Sequence, residues 1–492
     1  MIPSRRSFLL GAAAMGSSVL TPDVAEAARL LTAQDAATAD WGLVTRDLEG
    51  DVAPHRLTRI HGRAPAGLQG ALYRNGPAKF RRPGGSAEHW FDGDGLIRKF
   101  SVSDGEATLA ARFADTPKRR QETRLDAMVM PGFGTPADPR AEIGSNDDAN
   151  AANTSMLKVG DDVWALWEAG SPMAMDAGTL ETKGFVTLRD DLKGMPFQAH
   201  PRRAPDGSIW NVGTAGAQAV IWRLNADGGL NRAEIVRLPR ASYMHDFTAT
   251  DRHLILVLQP WIQERQAMPV INGLVWRPET GTQVMVLDKD DLTQSRLYEL
   301  PGFFHFHLGD AWAERDGTIR FDVAASGDPR FAVAGARVLV EGHGVVPGDP
   351  AKLALVTLRP DGKADMLTTD AVGEFPKADP RRLGLKRSLT VHTSGETPGR
   401  PLPTGLAVQD WDSGRSHGFT FGLHQIVEET VFVPKPGATA ETDAWLVGPS
   451  VNLKAGRTEL HVFDAAHVED GPVATWQADT ALPAGFHGTW VG

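Results

Sequence analysis

The chain contains no cysteine in its 492 residues. Disulfides, thiolate nucleophiles, iron–sulfur clusters and Cys-held zinc are excluded together, so any bound metal must be held by His, Asp or Glu. Basic surface is also scarce. The 51 Lys and Arg are outnumbered by 61 Asp and Glu, giving a formal charge of -10 and a pI near 5.8. Lys/Arg clusters stay as short as PKRR and DPRR. A nucleic-acid partner, which needs a basic stripe, is therefore not expected. Tyrosine is reduced to three residues, Tyr73, Tyr243 and Tyr298. No apolar run past the N-terminus approaches a membrane-spanning length. Long amphipathic helices are scarce, with AARLLTAQDAATADW, residues 27–41, the main candidate. What is present, 41% hydrophobic residues with 23% charged ones, suits a soluble protein with a large core.

The N-terminus reads as an address. SRRSFLLGAAAMGSSVL sets Arg5-Arg6 ahead of a short Gly/Ala-rich apolar stretch, and AEAA supplies a small-x-small cleavage site near Ala27. This resembles a Tat-type signal peptide over residues 1–28, which implies export to the periplasm of an already folded protein. A retained membrane anchor is the alternative, for which the stretch is short.

From about residue 40 onward, short β-branched and aromatic segments alternate with turns. Asp-Gly punctuates FDGDGLIRKF, VSDGEATLAARF, APDGSIWNVG, NADGGLNRAEIVRL, ERDGTIRFDV and RPDGKADMLT, the strongest short-range hairpin signal. So many antiparallel hairpins require several sheets, either serial sandwiches or a propeller. No linker divides the chain, so the expectation is an all-β propeller of degenerate blades, one unit spanning 40–492, with a loop and helix cap over one face.

Of the 15 histidines, His55, His61, His253, His392 and His417 sit in polar or turn-like contexts. Others lie beside aromatic or small apolar residues at the edges of expected strands: His200 in GMPFQAHPRR, His245 in ASYMHDFTATDRHLILVL, His305 and His307 in FFHFHLGDAW, and His487 in LPAGFHGTWVG. Inner strands of a propeller run along its axis, so imidazoles remote in sequence can converge there. An all-imidazole set suits Fe(II), Cu or Zn, and ligand softness alone does not choose among them. His305 and His307, two apart in one strand, share a face in regular geometry.

Longer motifs carry a resemblance. LYRNGPAKF, HWFDGDGLIRKF, NTSMLKVGDDVWALWEAGSP, FQAHPRRAPDGSIWNVG, MHDFTATDRHLIL, GEFPKADPRRLG, ETVFVPKPGA and GFHGTWV stand in the order found in the carotenoid cleavage oxygenases. The similarity runs from about residue 45 to the C-terminus. It implies a seven-bladed β-propeller with a cap over a substrate tunnel, and Fe(II) held on the axis by His200, His245, His307 and His487. The family register selects His307 over His305. It further implies that Glu168, Glu374 and Glu429 support His245, His307 and His487, with Glu428 a rival for Glu429 and His200 left without a carboxylate. Asp310 stands where the family usually has Asn, and Glu314 falls one place late, which puts the surroundings of His307 in question.

The implied activity is cleavage of a conjugated C=C bond of a carotenoid or apocarotenoid with O2, giving two carbonyl products. The substrate would be a hydrophobic conjugated small molecule, with peripheral membrane contact for its uptake. Lignostilbene-type phenols are an alternative, as is an inactive ligand-binding propeller, and the family includes isomerases. Stilbene cleavers anchor a phenol with Tyr and Lys, and the shortage of tyrosine here weakens that reading. A quinoprotein propeller would need a repeated Trp-docking motif in each blade, and none is present.

Overall fold

The computed structural model describes residues 40–343, 350–395 and 402–492. The expected signal segment, residues 1–28, lies outside the described residues, as does nearly all of the helix expected over 27–41. The described part of that helix begins the short 3-10 turn Trp41–Thr45.

Seven antiparallel sheets follow one another around a ring, which bears out the seven-bladed propeller and not the serial sandwiches. In chain order their innermost strands are Gly488–Val491, Ser155–Val159, Arg202–Arg203, Thr248–Ala249, Phe304–Leu308, Glu374–Lys377 and the pair Gln425–Val427 with Val431–Pro434. The hairpin chemistry is visible at Asp104-Gly105. Both residues take positive φ, 52° and 82°, in the two-residue loop joining Ser103 to Glu106. That is the geometry a type I′ turn demands, and Asp-Gly is suited to it.

Central strands are covered on both faces by neighbouring blades, so they read as continuous apolar runs rather than alternating ones. In His253–Leu258 every residue after the histidine is buried. Outer strands face water and carry charge, as in Leu230–Arg237. The apolar clusters accordingly lie between successive blades. The seam between the first and last sheets packs Leu72 and Phe100 against Val462 and Trp476, all fully buried. Each such side chain contributes roughly 1.5–3 kcal/mol on leaving water.

The ring closes with strands from both ends of the described chain. Gly488–Val491 pairs with Gly70–Pro77 in the first sheet, from Arg74↔Gly488 to Ala71↔Val491. Thr58–Gly62 pairs in turn with Ala474–Gln477 of the last sheet.

Over one face lie the helix Pro117–Leu125, the hairpin Trp261–Gln263 with Leu274–Trp276, and the helical segment 331–340. The Thr116 hydroxyl caps the first helix by accepting from the Arg119 N–H at 3.1 Å. Within it, buried Lys118 donates to Asp94 at 2.8 Å and to Glu122 at 2.6 Å, fastening the cap to the FDGDG loop. No helix among the described residues is long and apolar enough to cross a membrane.

Candidate metal centre

The inner strands bring remote histidines to the ring's hub. His200, His245 and His487 each sit just before an inner strand, and His307 lies within one. Their ligand-capable nitrogens all fall within 4.8 Å of one another, and all four residues are buried. Ring centroids lie 4.5 Å apart for His200 and His487, 4.6 Å for His307 and His487, and 4.7 Å for His200 and His245.

The arrangement fits a metal ion. The Nε2 atoms of His200 and His245 face each other at 3.0 Å, the span of two nitrogens about 2.1 Å from one ion and at right angles to it. The Nε2 of His307 is buried with no hydrogen-bond partner, an arrangement that is costly unless something else satisfies the atom. Burial first, then the neighbouring imidazoles, holds the pKa values of His200 and His487 well below the ordinary 6.5. Both rings are thus neutral and ready to donate a lone pair.

Three of the four rings are oriented from behind by a carboxylate, as the resemblance implies. The His307 Nδ1–H donates to Glu374 at 2.6 Å and the His487 Nδ1–H to Glu429 at 2.8 Å. The His245 Nδ1–H donates to Glu168. Each bond fixes a tautomer with Nε2 free for the hub and raises ligand basicity. Burial alone would lower the pKa of His245, but the Glu168 charge and hydrogen bond outweigh it and raise it. His200 has no carboxylate partner among the hydrogen bonds of the hub. The Tyr243 hydroxyl lies 3.2 Å from both Glu168 oxygens, and burial followed by that carboxylate pushes its pKa well above 10. It remains a proton donor.

His305 and His307 part company because the strand is irregular. His305 pairs with Ala325 and Leu308 with Val323, three steps against two. One extra residue makes a β-bulge, which re-aims side chains. Phe306 and His307, consecutive in sequence, both face the central cavity, whereas a regular strand would point them apart. His305 stays fully buried outside the cluster, its pKa lowered by burial to about 4.

The neighbouring acids also have defined places. Glu428 does not touch His487. It accepts from Arg98 at 2.6 and 2.8 Å and from Arg74 at 3.1 Å. Asp310 accepts from Arg202 at 3.0 Å. Glu314 lies toward the surface, taking the Trp312 indole N–H at 2.9 Å and Lys386 at 3.2 Å.

Several contributors carry no motif of their own. Arg202 donates to Asp246 at 2.8 and 2.9 Å and to the Leu308 carbonyl at 3.0 Å. It therefore ties together the residues following His245 and His307. Phe375 holds a left-handed φ of 55° and stacks on His307 with centroids 4.7 Å apart. Arg74 donates to Glu429 at 2.9 Å, and Lys377 lies 3.0 Å from the same carboxylate. Arg74, Arg202, Phe375 and Lys377 stand inside the quoted LYRNGPAKF, FQAHPRRAPDGSIWNVG and GEFPKADPRRLG stretches, the one signal that pointed toward them.

Above the hub opens a cavity of about 830 Å³. His245, His307 and His487 reach its wall, which carries several aromatic rings, among them Phe91, Phe133, Phe306, Phe331 and Phe486. Tyr243 is the one tyrosine lining it among the described residues, and no lysine or arginine does so.

Comparison with known proteins agrees with this geometry. A family model described as retinal pigment epithelial membrane protein matches residues 46–492. The apocarotenoid-15,15'-oxygenase of Synechocystis sp. is 28% identical, over 92% of this chain and 94% of its own length. Lignostilbene-alpha,beta-dioxygenase isozyme III of Sphingomonas paucimobilis is 24% identical, over 90% of this chain and 94% of its own. The crystal structure of a cobalt-substituted Synechocystis apocarotenoid oxygenase superposes with a TM-score of 0.83 at 24% identity, covering 92% of this chain and 98% of that one.

Proposed function

The chain belongs to the retinal pigment epithelial membrane protein family, the carotenoid cleavage oxygenases, and from that premise we propose that its hub holds Fe(II) through His200, His245, His307 and His487. It is an alkene-cleaving dioxygenase whose reaction splits a conjugated C=C bond of a carotenoid or apocarotenoid with O2 into two carbonyl products. The observation that carries the reading is the meeting of four buried imidazoles, three of them backed by glutamates and reaching the wall of a cavity rich in aromatic rings.

Iron bound here would supply the redox chemistry and the open position at which O2 is activated. The chain's own residues supply the rest. Glu168, Glu374 and Glu429 hold the three Nδ1 protons, so the Nε2 lone pairs point inward. Phe91, Phe306, Phe331 and Phe486 offer flat apolar faces on which a polyene can lie, and they keep water out. Orientation and dryness are what such a site contributes to a reaction whose bond-making belongs to the cofactor. No side chain in the hub has to shuttle a proton.

A carotenoid-type substrate is favoured over a phenolic stilbene by the absence of any lysine on the described cavity wall and by the commitment of the Tyr243 hydroxyl to Glu168. Ile143 and Met268 line the cavity yet are 48% and 65% exposed, marking its mouth. An apolar rim suits peripheral contact with the membrane from which such a substrate would be drawn. Export by a twin-arginine signal over residues 1–28, periplasmic action, and operation of residues 40–492 as one unit complete the proposal.

The test is aerobic incubation of iron-loaded protein with β-apo-carotenals and, separately, with hydroxystilbenes, with products identified by mass spectrometry. Aldehydes from the apocarotenals are expected. Cleavage confined to the stilbenes would reassign the substrate, and intact substrates in both arms would sink the cleavage reading.

A further inference from the structure

The three carboxylates behind the hub are not equivalent. Glu168 receives a neutral donor, the Tyr243 hydroxyl, besides its histidine. Glu374 likewise receives a neutral one, the Phe375 N–H at 2.9 Å. Glu429 is different. Its Oε2 accepts from Arg74 at 2.9 Å and the Gly488 N–H at 2.8 Å, while its Oε1 lies 2.8 Å from His487 Nδ1 and 3.0 Å from Lys377 Nζ.

The charges around Glu429 pair off with one cation in excess. Arg74 and Arg98 pair with Glu428 and Glu429 in a buried group of two cations and two anions. Lys377 is the cation left over, and among the described residues Glu429 is the one anion paired with it. The strand Glu374–Lys377 is built to deliver it. Glu374 pairs with Thr393 and Lys377 with Val391, three steps against two. The extra residue, with the left-handed Phe375, lets one short strand send an anion to His307 and a cation to the carboxylate behind His487.

We propose that Lys377 is a positioning residue that tunes the metal: by sharing Glu429 it weakens the carboxylate's pull on the His487 proton and makes His487 the poorest electron donor of the three backed imidazoles. Removing electron density from a ligand, and placing a positive charge near the ion, both disfavour the more oxidised metal. Lys377 therefore helps keep the resting metal divalent in air. This inference rests on the metal reading above.

The experiment compares the full chain with Lys377→Met, which keeps the length and loses the charge, and Lys377→Arg, which keeps the charge. Lys377 is one-third exposed, and in Lys377→Met the buried Glu429 keeps Arg74 as its cation. Co(II) affinity and its visible absorption report the donor set without turnover, and spectroelectrochemistry gives the Fe(III)/Fe(II) potential. Lys377→Met is expected to bind Co(II) about 10-fold more tightly, at the low end of effects from groups behind metal ligands, to shift the Co(II) bands and to lower the iron potential. Lys377→Arg is expected to restore all three. Unchanged affinity and potential in a metal-loaded Lys377→Met protein, or weaker binding by it, would overturn the role of Lys377 alone. Failure of the wild-type chain to bind cobalt at all would overturn the metal reading, and this inference with it.

Discussion

Two buried histidine environments in the same ring differ instructively. In the last sheet His461 is as enclosed as any hub histidine, yet both its nitrogens have protein partners. Its Nε2 lies 2.8 Å from the Ser450 hydroxyl and its Nδ1 3.1 Å from that of Thr475, with Phe421 against the ring. At the hub one nitrogen of each carboxylate-backed ring is engaged from behind, while the other faces its fellow imidazoles. Burial does not make a ligand. His392 is buried too, with Nδ1 held by the Thr393 carbonyl and Nε2 unpartnered, so what marks the hub rings is that their inward nitrogens converge within 4.8 Å.

The sharpest way to break this contrast is to remove a hub ring. His245→Ala is expected to abolish metal retention and turnover, while His461→Asn should leave the metal content near one per chain. Elemental analysis of both purified variants decides it. Next in size is Arg202→Leu. It strands Asp246 and Asp310 without their cation, and losing one partner of a buried ion pair typically costs about 3–5 kcal/mol. Urea unfolding of the metal-free protein should show that loss, since Arg202 bonds to Asp246, Asp310 and the Leu308 carbonyl and to no imidazole nitrogen of the hub.

Glu374→Gln tests the fixed-from-behind half of the contrast. It should fold normally and weaken Co(II) binding by roughly 10–100-fold, read by competition with a chelator. For His461 the expected signature lies in stability instead. Burial lowers its pKa from 6.5 to about 3, so as pH falls the unfolded chain takes up the proton before the folded one. The stability from this residue is complete above about 6.5 and drops by about 1.4 kcal/mol per pH unit between there and about 3. His461→Asn should lose that increment of slope in denaturation series from pH 7 to 5. Smallest of all, Tyr243→Phe removes one hydrogen bond to Glu168, worth about 0.5–1.5 kcal/mol net, and should change Co(II) affinity by less than Glu374→Gln does.

Much of the blade architecture could be read from local chemistry. HLILVL between turns announces a strand covered on both faces, and SDGE announces the hairpin of Gly95–Ser103 with Glu106–Phe113. The four hub histidines and their three glutamates were legible through the family register, and the structure brings them together. Spacing by itself would have misled at FFHFHLGDAW, because two residues apart means one face only while the strand is regular, and the bulge before Leu308 is not written in residue type. His392, expected in a polar setting, is buried in the strand Leu389–Ser394. The roles of Arg74, Arg202 and Lys377 were hidden for a different reason, although each stands inside a quoted motif. Their partners come from other blades, as Glu429 does for Arg74, 355 positions away, and no local pattern records a charge matched across the ring.

The pairing of Gly488–Val491 with Gly70–Pro77 has one more consequence. His487 leads directly into the strand that joins the last sheet to the first, so the fourth imidazole arrives only when the circle is complete. A chain that is partly made, clipped or wrongly wound offers three rings and no cage. Under the proposed metal reading, uptake of the ion would double as a mark of closure, read where Gly488–Val491 meets Gly70–Pro77.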